Sequence, residues 1–202
     1  MSLKRVLKVC VLIGWGFLIP ACYFTSINPL PKSPAVDPGL LGCWKVQCDE
    51  KTPSPEQNYF LFLEDKDGFF QAVLLNDHYQ YDEFYRGFCS EINGQKYLNV
   101  KQLSWGNEKS GPAMDKNYSL VHYKITEGKR LEITLLDEDK LKEALAKKRL
   151  QGSLPKPSDD LVLSDSTENL AAFFGKQDPV GLLGKPLAPA EKTTELPAAG
   201  SR

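Results

Sequence analysis

Tyr59-Phe60-Leu61-Phe62-Leu63, then Asp65-Lys66-Asp67-Gly68, then Phe69-Phe70-Gln71-Ala72-Val73-Leu74-Leu75 read as two β-strands joined by a tight turn. Aromatic and aliphatic residues fill both flanks, and the glycine falls where the turn needs a positive φ. The first flank is apolar at every position, which implies packing on both of its faces. Asp65 and Asp67 serve the turn, because the other oxygen ligands of a calcium loop are missing.

Working outward, the same grammar repeats. Residues 79–89 carry Tyr79, Tyr81, Phe84, Tyr85 and Phe88, and the aromatic phase shifts across Asp82-Glu83, which predicts a β-bulge there. Asn93-Gly94 is the strongest hairpin-turn signal in the chain, and residues 97–103 pair back from it. Residues 117–126 and 130–136 form a last hairpin around Glu127-Gly128-Lys129. There Leu131, Ile133 and Leu135 alternate with Glu132 and Thr134, so one face is dry and one wet. Residues 40–48 supply the first strand. Seven strands without crossover helices specify a mostly β, antiparallel up-and-down meander, and closure into a small barrel would remove its two exposed edges.

Two short helices follow. Asp137 caps the first, whose narrow apolar face is Leu141, Ala144 and Leu145, and Gly152 ends it. Ser164-Asp165-Ser166-Thr167-Glu168 caps the second, which carries Leu170, Ala171, Phe173 and Phe174. Between them, Leu161-Val162-Leu163 is expected to add an eighth strand. Composition divides the chain into residues 1–21, a leader; 22–39, a flexible proline-rich tether; 40–175, the barrel with its helices; and 176–202, a disordered tail.

The 202 residues carry a net charge of −1 with no block of like charge, so electrostatics imply no nucleic-acid partner. His78 and His122 are the only histidines and neither shows ligand spacing, so no metal site is expected, and no cofactor. The glycines fall singly in turns, without a phosphate loop. Asp82 and Glu83, adjacent on a strand, point to opposite faces and cannot share one pocket as an acid–base pair. Catalytic residues are therefore not expected, and the chain reads as a non-enzyme.

Lys4-Arg5-Val6-Leu7-Lys8, an apolar run at residues 9–19, and Ile19-Pro20-Ala21-Cys22 form a secretory leader ending before a cysteine. This resembles a bacterial lipoprotein lipobox. The resemblance implies lipidation at Cys22, a membrane partner held through N-terminal acyl chains, and a place in the bacterial cell envelope. Tyr23, where an aspartate would favour inner-membrane retention, implies the outer membrane, facing the periplasm. Three cysteines then remain in the folded body, in a compartment that permits disulfides. Cys43 and Cys48 lie on one strand with opposed side chains, so Cys48–Cys89 is the expected pair and Cys43 the buried thiol.

Gly42-Cys43-Trp44, opening the first strand of a meander, resembles the Gly-x-Trp signature of the lipocalins, and Asn117-Tyr118 is faintly similar to that family's second motif. The resemblance implies a calycin-type barrel whose closed end is plugged by Gly42 and Trp44. The family's arginine over the tryptophan has no counterpart in the last long strand, where Arg130 is the nearest. Two functions follow as expectations. In the first, the aromatic excess lines a cup for a small hydrophobic ligand, with Tyr79, Tyr81, Phe84 and Tyr85 on the wall and Trp105 in the lid-like loop 104–116. In the second, the barrel is solid and its loops, or helix 137–150, contact an envelope protein partner.

Overall fold

The computed structural model describes residues 24–47, 57–75, 81–105, 112–153, 161–176 and 179–194. Its strands are β1 (Phe24–Ser26), β2 (Gly42–Val46), β3 (Tyr59–Glu64), β4 (Phe70–Leu75), β5 (Tyr81–Ile92), β6 (Gln95–Trp105), β7 (Pro112–Met114), β8 (Ser119–Thr126), β9 (Arg130–Leu136), β10 (Gly152–Ser153), β11 (Leu161–Leu163), β12 (Leu183–Pro186) and β13 (Ala190–Thr193). The helices are α1 (Glu138–Ala146), α2 (Thr167–Lys176) and the single turn α3 (Pro179–Leu182).

The barrel runs β2-β3-β4-β5-β6-β8-β9-β13 and returns to β2, antiparallel throughout. It is the closed, eight-stranded version of the expected meander. Turn chemistry sets the registers. Asn93 and Gly94 both take positive φ, 50° and 75°, the conformation that a two-residue hairpin requires. The predicted bulge is present: Leu74 faces Glu83 and Leu75 faces Tyr81, which leaves Asp82 as the extra residue.

The eighth stave comes from a segment expected to be disordered. β13 pairs with β2 through Ala190↔Val46 to Thr193↔Cys43, and with β9 through Ala190↔Leu131 and Glu191↔Arg130. β12 continues along the other half of β9. Pro186 and Pro189 break the alternation that marks a strand in sequence. The ladder tolerates them because Leu187 N–H donates to the Ile133 carbonyl and the Pro189 carbonyl accepts from Gln47 N–H, both at 2.8 Å. Leu161–Leu163, expected as that eighth strand, instead centres a small separate sheet with β1 and β10.

Residues 24–39 likewise form no tether. Phe24, Leu30 and Val36 are buried, β1 runs parallel to β11, and amides between the prolines find acceptors on the barrel. Leu30 N–H donates to the side chain of the fully buried Asn99 at 2.7 Å, and Ser33 N–H to the Cys89 carbonyl at 2.8 Å. Four prolines favour extended chain, and extended chain with apolar anchors can dock as readily as it can dangle.

Two cores result. Inside the barrel, Trp44, Phe60, Phe62, Phe70, Leu74 and Tyr85 interdigitate with aliphatics from the remaining staves. Outside, Tyr97 and Leu120 from β6 and β8 are covered by β1, β11, α1 and α2, through Phe24, Leu141, Leu163 and Phe174. Asp137 caps α1 as expected, accepting from the Asp139 and Lys140 amides. The helix stops at Ala146 rather than at Gly152, with Lys148 in the left-handed region at φ 54°. Gly152 instead permits close packing within the small sheet, since a Cβ there would lie 2.4 Å from the Val162 carbonyl oxygen.

Trp44 is fully buried, and its indole N–H donates to the Leu40 carbonyl at 2.7 Å. The cation over its ring is Lys192 of β13, 5.2 Å from the centroid, in the place where Arg130 was the nearest sequence candidate. Gly42 is required by its φ of 112° and not by crowding, since a Cβ would meet only a lysine methylene at 3.5 Å. Trp44→Ala is expected to lower unfolding free energy by about 3–5 kcal/mol in urea titrations; a loss near zero would show that the indole is no plug.

Candidate functional site

Three places in the described structure hold enough polar or open space to examine for function. The barrel interior comes first. Residues 60, 62, 74, 85, 121 and 133 line a cavity of about 30 Å³, all of them apolar apart from the Tyr85 hydroxyl. That volume is the share of one water molecule, against the several hundred Å³ of a ligand pocket. Of the expected ligand residues, the side chains of Phe84 and Tyr85 are described. Phe84 lies on the outer face with Cys43, Tyr59 and Val73, and only Tyr85 points inward, its hydroxyl donating to the Glu83 carboxylate. Tyr81 and Trp105 sit at strand ends, where only their backbones are described, and Tyr79 lies outside the described residues. Loop 104–116 proves in part to be a hairpin extension, with Trp105 facing Pro112 across β6 and β7.

The second place is the barrel end capped by the strap of residues 24–39, where a recess of about 230 Å³ is bordered by Asp37, Cys89, Lys96 and Tyr123. Asp37 organises it. One carboxylate oxygen accepts from Gly39 N–H at 2.9 Å; the other accepts from Lys96 Nζ at 2.7 Å and Tyr123 Oη at 3.1 Å. Burial pushes this carboxyl up, but the hydrogen bonds from Lys96, Gly39 and Tyr123 outweigh it and hold it below its ordinary value. Burial likewise raises the Tyr123 hydroxyl, further raised by Cys89 and Asp37, so it stays protonated and donates. Cys89 is a free thiol facing this interior, so the expected Cys48–Cys89 bridge is not formed; Cys48 lies outside the described residues. Burial raises the Cys89 thiol, with the Asp37 charge adding to the shift, which makes it a poor nucleophile near neutrality. Cys43 is also free, buried on the opposite, outer face. Among the described residues no three or more His, Cys, Asp or Glu side chains gather to hold a metal.

The third place is on the outer layer, where the turn after α1 meets α2. The Lys148 reversal lets Arg149 N–H reach the Ala144 carbonyl at 2.8 Å, and Leu150 drops into the outer core. Gln151 N–H donates to the Asp165 carboxylate, which ties the turn to the start of α2. Ser166 caps that helix through Asn169 N–H at 3.3 Å. Between them opens a cleft of about 430 Å³ lined by Lys148, Arg149 and Lys176, with the exposed Ala172 and the buried Phe173. The run Lys147-Lys148-Arg149 is visible in sequence; its position against the far end of α2 is purely tertiary.

His122 lies between these regions, buried on the outer wall of β8 with its ring 5.6 Å from that of Tyr97. Its Nε2 sits 3.1 Å from Gln95 Oε1, and Nδ1 has no partner among the described residues. Burial, and after it the Lys124 charge, lowers its pKa below the ordinary 6.5, so the fold prefers the neutral ring.

Two consequences can be measured. Asp37→Ala is expected to cost about 1.5–3 kcal/mol of stability, because it removes charge-assisted hydrogen bonds to strap and wall. It should also speed thiol modification of Cys89, followed by peptide mass spectrometry with Cys43 as reference; an unchanged Cys89 rate would mean the strap is held by something else. For His122, the depressed folded pKa gives a stabilisation that is complete above 6.5 and is lost as pH falls below it through the folded value. Melting temperature should therefore drop between about pH 7 and pH 5, and the drop should shrink in His122→Phe; an equal slope in both proteins would contradict this.

Compared with protein-family models, with curated proteins and with solved structures, the chain has no match. What it does is therefore to be read from its own barrel, plug and cleft.

Proposed function

We propose that this chain is a lipid-anchored envelope protein whose barrel is a solid scaffold for contact with another protein, and that it performs no catalysis. The packing of the described core carries the reading: the cavity those residues enclose, about 30 Å³, has room for a water and not for a lipid or other greasy ligand. Trp44 and the strap held by Asp37 add to it by closing one end of the barrel with hydrogen-bonded groups. A scaffold of this kind presents its outer layer, and it is on that layer that the open, charged cleft lies.

The anchoring part rests on Lys4, Arg5, Lys8 and the small residue Ala21 before Cys22, with Tyr23 following. An acylated Cys22 would place the barrel at a membrane surface, with the outer membrane facing the periplasm as the proposed site. The tethering distance would be short, since the chain is already docked on the barrel from Phe24 onward.

One experiment tests both parts. The protein is extracted from membranes of its own host and weighed by mass spectrometry, first native and then denatured. The expected native mass equals the denatured mass, and the denatured N-terminal peptide begins at Cys22 and carries covalent acyl chains. A hydrophobic molecule retained in stoichiometric amount in the native spectrum would overturn the solid-scaffold reading in favour of a ligand cup. A chain still bearing residues 1–21 without acylation would overturn the anchor.

A further inference from the structure

We infer that the cleft between the α1–β10 turn and α2 is the docking point for an acidic segment of the partner protein, which inserts a carboxylate side chain among Lys148, Arg149 and Lys176. This rests on the interaction reading and names the chemistry of its partner.

Charge is the main ground. Among the described residues, none of these three cations makes a salt bridge, although all of them converge on one recess. By contrast Lys142 and Lys147, on the same helix and its first following residue, are engaged by Glu138 and Glu143. The one carboxylate in the lining does not neutralise the site: Asp165 is 4 % exposed, and its oxygens accept from Gln151 N–H and, at 3.5 Å, from Asn169 Nδ2. It braces the cleft from within, and among the described residues that line the recess three cations stand against this one carboxylate. Lys176 has a structural use, since a cation suits the C-terminal end of α2. The Lys148 backbone has one too, since its left-handed turn ends α1 through the Arg149 N–H bond to the Ala144 carbonyl. Its side chain, at the recess, makes no bond within the described fold.

Shape decides the class of partner. A lipid bilayer is flat and would meet the convex parts of the surface first, whereas this recess of about 430 Å³ is concave. It suits one or two side chains of a peptide, with carboxylates at the rim and an apolar neighbour against Ala172 and Phe173.

The full chain, kept in mild detergent, is titrated into a fluorescein-labelled hexapeptide alternating Glu and Leu, and binding is read by anisotropy. A peptide with Gln replacing Glu, and vesicles containing phosphatidylglycerol, serve as the comparisons. Lys148→Glu combined with Lys176→Glu is expected to weaken peptide binding by about tenfold or more, because two attractive charges become repulsive. Lys45→Glu with Lys129→Glu, the same charge change on exposed residues elsewhere, should alter binding by less than about twofold. All four positions lie at the surface, and unchanged melting curves will show that the variants fold. Equal weakening by both pairs, equal binding of the Gln peptide, or no binding at all would overturn the inference. So would a cleft variant that loses vesicle association and keeps the peptide. None of these outcomes bears on whether a ligand is retained in the barrel, which the mass spectrum reads separately.

Discussion

Closure by β13 is the constraint on which the rest of this structure depends. Seven meandering staves would leave β2 and β9 with rows of unpaired amides and carbonyls, a template for association with other chains. Residues Ala190–Thr193 lie between them and bond to both, so a short tract near the end of the chain completes a barrel begun at Gly42. The same strand supplies Lys192, which covers the Trp44 ring and donates to the Gly39 carbonyl at 3.1 Å. Stave, cation and strap are thus fixed together. The chain also has to bring segments distant in sequence into contact before the barrel is complete, a pairing that carries a loop-closure cost in entropy.

A closed wall with apolar residues on both faces has to be covered outside as well as filled inside. Inside, the described rings and aliphatic side chains enclose a cavity of about 30 Å³. Outside, β6 and β8 present Tyr97 and Leu120, and β1, β11 and the helices bury them. The aromatic richness that suggests a cup is therefore divided between the barrel core and the outer clusters, Tyr59 and Phe84 included. Phe62 and Phe70 meet edge to face within the barrel, while Phe88 and Tyr118 do so on its outer side. Among the described residues neither set lines a large void.

Buried and half-buried polar groups tie segments of the fold together. Asp37 binds strap to wall, Asn99 binds strap to β5 through Ser90, and Asp165 binds the α1 turn to α2. Each carboxylate or amide meets donors from parts of the chain distant in sequence, which is the arrangement under which a buried polar group specifies a fold instead of weakening it. The cations at the outer cleft are the exception, held at a concave mouth without an ion-pair partner among the described residues.

Local chemistry was enough to read the hairpins. Asn93-Gly94 sets a turn through its own backbone preference, the aromatic phase shift announces the bulge at Asp82, and the Asp137 carboxylate caps a helix with its nearest amides. Such features depend on residues within a few positions of one another, so the linear chain determines them. What it could not determine were interactions whose meaning comes from a distant partner. The proline-rich segments at 24–39 and 183–193 have tether-like composition, yet one docks and the other closes the barrel, because neighbouring strands supply their hydrogen bonds. The same holds for the direction in which Cys89, Phe84 and Tyr85 face, and for the meeting of Lys148 and Lys176 from either side of the small sheet's last strand. Alternation and turn type dictate that strands exist; only the packed barrel decides which edge each one finds and how little space is left between them.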